Sequence, residues 1–259
     1  MGIAIPVYIT RACHARNITT MDKYFSRFQD LCIRILAQSN NCQESQQAFK
    51  SAKSVPELVT AWQFYWNGVL HEVPEQVLAA FNKFYPEYHD DIARAGIYFN
   101  ESPATVPSAS PDGSTTVPDA SASGSEASVP TPSPSMVLIG DGDKPVHIEG
   151  RHRVYVLGNT PVTCSGQCNV NVIAERANVT LLGNCRCNAE AGTIIVKDRS
   201  VFNGKGNVTC YDSATVFIAG GTLEDHGHLN ISAYSDSAIS SFTKQRIILH
   251  DQATLTIRK

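Results

Sequence analysis

The stretches Asp212-Ser213-Ala214-Thr215-Val216-Phe217-Ile218 and Asp251-Gln252-Ala253-Thr254-Leu255-Thr256-Ile257 share one pattern: an Asp-led turn, a small residue, then alternating apolar positions. The pattern returns about every eight residues from Lys144 onward, and a period of this kind decides the fold before any single residue does. With the residue after the turn as marker, the register runs through Lys144, His152, Thr160, Cys168, Ala177, Cys185, Thr193, Ser200, Gly206, Ala214, Thr222, Leu229, Ser237, Gln245 and Ala253. Strand side chains alternate faces, so the marker and the residues two and four further on point the same way. Cys168/Val170/Val172, Ala177/Val179/Leu181, Ala214/Val216/Ile218 and Ala253/Leu255/Ile257 therefore read as inward sets, with Asn169, Asn171, Asn178, Thr180, Thr254 and Thr256 on the opposite face. The copies at Thr193, Thr222 and Gln245 fit poorly and are placed by spacing alone.

A strand of about five residues cannot bury its inner face alone, so successive units must coil and stack over one continuous core. The expected architecture is a C-terminal parallel β-solenoid, or β-helix, over residues 136–259. Two repeats per coil would give a flattened coil of about sixteen residues and three a triangular coil of about twenty-four. The cysteine spacing 164, 187, 210 favours three sides, and the handedness of parallel crossovers favours a right-handed coil.

Upstream the period changes. Tyr24, Phe25, Phe28, Leu31, Cys32, Ile35 and Leu36 follow the three-and-four spacing of an amphipathic helix. A second helix is expected from Asn41. A third starts at Ser54, where Ser54-Val55-Pro56-Glu57 has the form of a capping box with proline in the first turn. A fourth spans residues 74–84 and a short fifth spans 86–95, ended by Gly96. The whole is a small all-α helical bundle over residues 21–100. Residues 1–20 read as a poorly ordered extension lacking a basic leader or a clear cleavage site, and Met21 stands as a candidate true start. Gly2 does not open a myristoylation motif, since Pro6 stands where Ser or Thr is needed.

Between these parts, residues 101–135 are rich in Pro, Ser, Ala and Thr and hold seven of the chain's thirteen prolines. Such a segment buries too little apolar area to offset its chain entropy, so it reads as a disordered linker that lets the helical module and the solenoid move independently. A net charge of −3 and no long apolar run give no basis for nucleic acid or membrane as partner. The absence of a leader, with eight cysteines, points to a cytoplasmic, reducing setting. The five sequons at Asn17, Asn100, Asn178, Asn207 and Asn230 matter only in a secreted chain.

Three groups of residues invite a function. Trp62, Phe64, Tyr65 and Trp66 cannot all share one helix face, and Phe64 with Tyr85 or Tyr88 is the candidate partner-binding patch. Cys164, Cys168, Cys185 and Cys187 approach zinc-ligand spacing, yet with Cys210 they all occupy inward positions, where packed thiols, a disulfide and a metal site are the three alternatives. Glu224, Asp225, His226 and His228 interrupt the repeat, and could serve a metal or act as acid and base on a glycan. Charged residues gathered at a solenoid corner are the plainer explanation. No cofactor and no catalytic residue are expected.

The phrases Tyr211-Asp212-Ser213-Ala214-Thr215-Val216 and Ala233-Tyr234-Ser235-Asp236-Ser237-Ala238 resemble the A-Y-D-S-A-T-V octapeptide arrays of uncharacterised bacterial and phage proteins. The resemblance covers residues 144–259 and implies a β-solenoid without implying an activity. The segments VPELVTAWQFYW and VPEQVLAAFNKFYPEY look similar to small modules of the same kind of protein. The sequence is thus read as a non-enzymatic structural or protein-interaction protein, a rigid self-associating solenoid tethered to a partner-binding head and forming homo-oligomers. A carbohydrate-binding or carbohydrate-active β-helix, and a phage or mobile-element factor that binds a host protein, are the alternatives.

Overall fold

The computed structural model describes residues 14–38, 43–103, 135–227, 229–242 and 246–258, with the side chains of 14–24, 43–45 and 63–68 left aside. Most of the linker assigned to 101–135, and residues 1–13 of the N-terminal extension, lie outside the described residues.

Four helices come first: α1 (His14–Gln38), α2 (Gln43–Ser51), α3 (Val55–Glu72) and α4 (Pro74–Arg94). Helix α1 starts seven residues before Met21, inside the segment expected to be an extension. No Gly or Pro interrupts residues 14–38, so the backbone ladder propagates through Thr19 and Thr20 instead of stopping at them. Ser54 caps α3, its hydroxyl accepting from the Glu57 N–H. The fourth and fifth expected helices are one element. Pro86 lacks an N–H and bends α4 at Tyr88 (φ −115°, ψ 20°) without ending it, and Gly96 at φ 83° terminates the turn that follows. Phe28, Ile35, Phe49, Leu58, Trp62 and Phe81 fill the core between the helices, and the Trp62 indole N–H donates to the Cys32 thiol at 3.0 Å.

Fifteen strands follow: β1 (Ile97–Phe99), β2 (Met136–Ile139), β3 (Val146–Gly150), β4 (Arg153–Val156), β5 (Val162–Gly166), β6 (Asn169–Val172), β7 (Asn178–Leu181), β8 (Arg186–Ala189), β9 (Thr193–Val196), β10 (Val201–Cys210), β11 (Thr215–Asp225), β12 (Asn230–Ala233), β13 (Ala238–Ser241), β14 (Ile247–Leu249) and β15 (Thr254–Ile257). All pairings are parallel, and each strand pairs with the one a coil away. Val137, Val154, Val170, Cys187, Phe202, Val216, Ile231 and Ile247 stack in one column. Val146, Val162, Val179, Ile194, Val208, Leu223, Ile239 and Leu255 stack in the other. This is a parallel β-solenoid of about seven turns.

Each coil therefore has two strands and two faces, which corrects the three-sided expectation. Steps within a column run from 17 residues, Val137 to Val154, down to 14, Phe202 to Val216. The cysteine spacing misled because Cys164 and Cys210 stand on the second face while Cys187 stands on the first. The weak copies correct in the same way. Ile194 and Leu223 are buried while Thr193 and Thr222 are exposed, so the register there lies one residue from the marker. Such a slip exchanges the two faces. The shortest coils make room for it at β10 and β11, which pass from one face to the other through glycines. A Cβ on Gly204 (φ 132°) would stand 1.9 Å from the Ala189 carbonyl oxygen, so no side chain fits at that bend.

The corners explain the repeat's composition. Asp198, Asp212, Ser235 and Asp251 adopt left-handed backbone, which Gly, Asn and Asp tolerate best. A turn carboxylate also accepts from the turn N–H of the coil before it, as Asp198 Oδ2 does from Gly183 N at 2.6 Å and Asp251 Oδ2 from Ser235 N at 3.2 Å. The small residue after the turn donates to nearby carbonyls: Cys185 to Leu182 at 3.2 Å, Ser237 to Tyr234 at 2.6 Å.

Helices and solenoid are not separate bodies. Strand β1 extends the first sheet beside β2, with Tyr98 packed against the solenoid core and Ile97 and Phe99 in the helical core. Met136, Leu138, Tyr155 and Leu157 join that helical core, and His71 on α3 pairs with Glu190 at 2.9 Å. The expected independence fails because β2 is apolar on both faces and is buried on both.

Candidate functional site

The interruption at residues 224–228 sits at the C-terminal end of β11. Strand alternation sends its side chains in opposite directions. Asp225 points inward in the column Cys210, Asp225, Ser241 and is fully buried. Its carboxylate accepts from the Ser241 hydroxyl at 2.6 Å and from the Gly227 N–H at 2.9 Å, which supplies the hydrogen bonds that a buried carboxylate requires. Glu224 points outward, 3.3 Å from His226 Nε2 and 3.3 Å from an Arg258 guanidinium nitrogen. His228 lies outside the described residues. Glu224 and His226 thus meet on the outside of the coil while Asp225 is turned into the core, so these three described members do not gather in one cleft.

His226 belongs to a ladder that spans five successive coils. Tyr211, His226 and Phe242 follow Cys210, Asp225 and Ser241 on successive coils and stack at 5.1 and 4.8 Å, with Lys197 over Tyr211 at one end and Arg258 over Phe242 at the other. Ring stacking and cation–π contact bind the outer corner here, where the inner column turns polar. Tyr234 and His250 form a shorter stack at the opposite corner, with centroids 4.4 Å apart.

The solenoid cysteines lie inward as free, buried thiols. Hydrogen bonding with Cys164 pushes the Cys168 thiol up to about 12, and bonding with Cys168 together with burial pushes Cys185 up as well. Burial raises Cys187, and burial beside Asp225 raises Cys210. Thiols held protonated in this way are weak nucleophiles, since the thiolate is the attacking form. Among the described residues no group of three His, Cys, Asp or Glu side chains is arranged to hold a metal ion.

In the helical module Tyr85 and Tyr88 are buried in the core, Tyr85 edge-on to Phe99 and Tyr88 stacked on Phe28. They do not form the exposed patch expected of them, because both continue the buried face of α4 that runs through Val77, Phe81 and Phe84 at three-and-four spacing; the Phe64 side chain lies outside those described. The Tyr85 hydroxyl donates to Glu101, a bond that together with burial raises its pKa. The same carboxylate is 3.0 Å from His89 Nε2, and Asp90 is 3.0 Å from His89 Nδ1. Contact with Asp90, then Glu101, raises the His89 pKa.

No protein-family model, curated protein or solved structure matches this chain. No described helix is long and apolar enough to cross a membrane.

Two surfaces remain, the first outside the expectations from sequence and the second at the solenoid end expected to self-associate. One is a groove of about 680 Å³ on the outer side of the first sheet, lined by Asn169, Arg186, Asn188, Val201, Asn203, Phe217 and Tyr234. Its signal was present in the clearest repeat copy, where Phe217 occupies an outward position between Val216 and Ile218. The other is the last coil, where Ile248, Leu249, Leu255 and Ile257 are 36 to 56% exposed.

Proposed function

We propose that this chain is a non-enzymatic structural and interaction protein that associates through the C-terminal end of its solenoid, pairing edge to edge with a second copy. The observation that carries this reading is the last coil. Leu255 and Ile257 continue the buried columns of the second face, and Leu249 continues a column of the first, yet all three stand exposed. Strands β14 and β15 each have a neighbour on one side, so their outer N–H and C=O groups offer a template for another strand.

The opposite end supports a closed pair over an open filament. There Tyr98 lies against the solenoid core, the helices pack beside it, and Val146 and Ile148 are buried. Head-to-tail stacking would have to displace this cover, whereas two open ends facing each other make a self-complementary interface that closes. The helical module acts as a cap in this reading. The buried free thiols suit a reducing compartment such as the cytoplasm.

Sedimentation of the full chain at micromolar concentration tests the proposal. A dimer is expected, and Leu249→Lys with Leu255→Lys should give a monomer with unchanged circular dichroism. A monomer for the unsubstituted chain, or a dimer that survives both lysines, would overturn it.

A further inference from the structure

The groove on the first sheet is built by in-register stacking. Asn171, Asn188, Asn203 and Phe217 form one outward column, and Arg153, Asn169, Arg186 and Val201 form the column beside it. Parallel neighbours lie about 4.8 Å apart, so the amides repeat at that interval along the coil axis. Asn203 Nδ2 donates to Asn188 Oδ1 at 3.3 Å, which holds two of them in a ladder. Toward the N-terminus the first column runs into Tyr155, buried beneath the helices, and these wall off that end. Toward the C-terminus stand the exposed rings of Phe217 and Tyr234, with Tyr234 kept in orientation by His250 stacked parallel to it at an interplanar angle of 2°.

We propose that this groove binds an acidic oligosaccharide laid along the coil axis. Each asparagine offers one acceptor oxygen and two donor hydrogens, a match for hydroxyl groups that both give and accept. Phe217 and Tyr234 provide flat apolar faces against which the C–H face of a pyranose ring loses its water. The Arg186 guanidinium takes a carboxylate in bidentate fashion, and among the described residues that line the groove none is acidic to compete for it.

Charge density selects a sparsely charged glycan over a single-stranded nucleic acid. The two columns hold two arginines, Arg153 and Arg186, two coils or about 9.6 Å apart, and of these Arg186 lines the groove, so phosphates spaced more closely than this would go unpaired. The adjoining corner groove carries Glu175, Glu190 and Asp236 against one cation, Lys205, and this excess of negative charge repels a dense polyanion that overhangs it.

The test is a titration of the full chain with a panel of uronate- and sialate-bearing oligosaccharides, their neutral counterparts, and oligothymidylate. At least one acidic sugar should bind with a Kd below about 1 mM, at least ten-fold tighter than its neutral counterpart. Arg186→Gln should lower that affinity about ten-fold and erase the preference for acid. Phe217→Ala should weaken acidic and neutral sugars alike, and both variants should keep the sedimentation behaviour of the parent chain because Arg186 and Phe217 stand two or more coils from the last one. No binding by any sugar, equal binding of acidic and neutral forms, tighter binding of oligothymidylate, or indifference to both substitutions would each overturn the proposal. None of these outcomes bears on association through the open end, which sedimentation reads separately.

Discussion

At the N-terminal end of the solenoid β1 lies beside β2, Tyr98 is seated against the inner core, and Ile97 and Phe99 are seated in the helical core. Among the described residues the terminal strands of both ends have one neighbour each, β1 and β3 here and β14 and β15 at the C-terminal end, but at the C-terminal end residues of the same inward type stand exposed. The strands differ little in sequence character, so burial at the ends is decided by what lies against them. An end finished by a heterologous element is a boundary; an end left as one more coil is an interface. The comparison breaks most directly under truncation. Phe99→Ala removes a ring packed on Phe81 and Tyr85 and should cost about 3–5 kcal/mol, whereas Ile257→Ala, at a half-exposed site, should cost under about 1 kcal/mol. Urea denaturation of both variants, at concentrations low enough to keep the chain monomeric, measures the difference; equal costs would mean that the ends are not distinct.

A second contrast lies inside the core. Near the first coils the inward columns are aliphatic, but at Cys210, Asp225 and Ser241 the second face turns polar and depends on hydrogen bonds. Asp225→Ala should therefore destabilise by about 1–3 kcal/mol, since it strips partners from the Ser241 hydroxyl and the Gly227 N–H. Restoring Ser241 to an apolar residue in the same chain, as Ser241→Ala, should recover part of that loss. If the double variant is as unstable as the sum of the singles, the buried bond is not what holds this layer together.

The aromatic ladder sharpens the contrast further, because it joins the C-terminal coils from outside. Phe242→Ala interrupts the stack between His226 and Arg258, for about 0.5–1.5 kcal/mol beyond the area lost. Hydrogen exchange should quicken in β13 and β15 and stay unchanged in β2. A uniform change along the coil would argue that the ladder carries no local role.

The turn residues and the alternation of small and aliphatic positions made the solenoid readable, and the burial of Cys168, Cys185 and Cys210 follows from that register alone. What misled was physical. Coil lengths vary because glycines let the chain round a corner without a turn signal, Gly192 before β9 and Gly204, Gly206, Gly220 and Gly221 within β10 and β11, so the register slipped at Thr193 and Thr222. That slip bears on function, because the alternation it hides turns Asp225 into the core and Glu224 to the outside. The docking of the helices was written in Met136-Val137-Leu138-Ile139, whose unbroken apolar run marks a strand covered on both sides; the intervening Pro-rich segment suggested a tether instead. The groove eluded the reading because its residues lie far apart in sequence and meet only through stacking.

The smallest expected effect concerns pH at the capped end. His89 lies between Asp90 and Glu101 where the chain leaves β1, and these contacts raise its pKa above the ordinary histidine value near 6.5. A group whose folded pKa is raised stabilises the fold fully below its unfolded pKa and loses that contribution as pH rises through the folded one. The capped end should hence be held slightly more firmly at pH 5.5 to 6 than at pH 8, by a margin kept small by solvent exposure. A proton NMR titration should place His89 above a histidine in an unfolded peptide, and Glu101→Gln should bring it part of the way back. If Glu101→Gln leaves the midpoint where it was, the carboxylate at the start of the Pro-rich segment makes no contact in solution, and the cap rests on its apolar contacts alone.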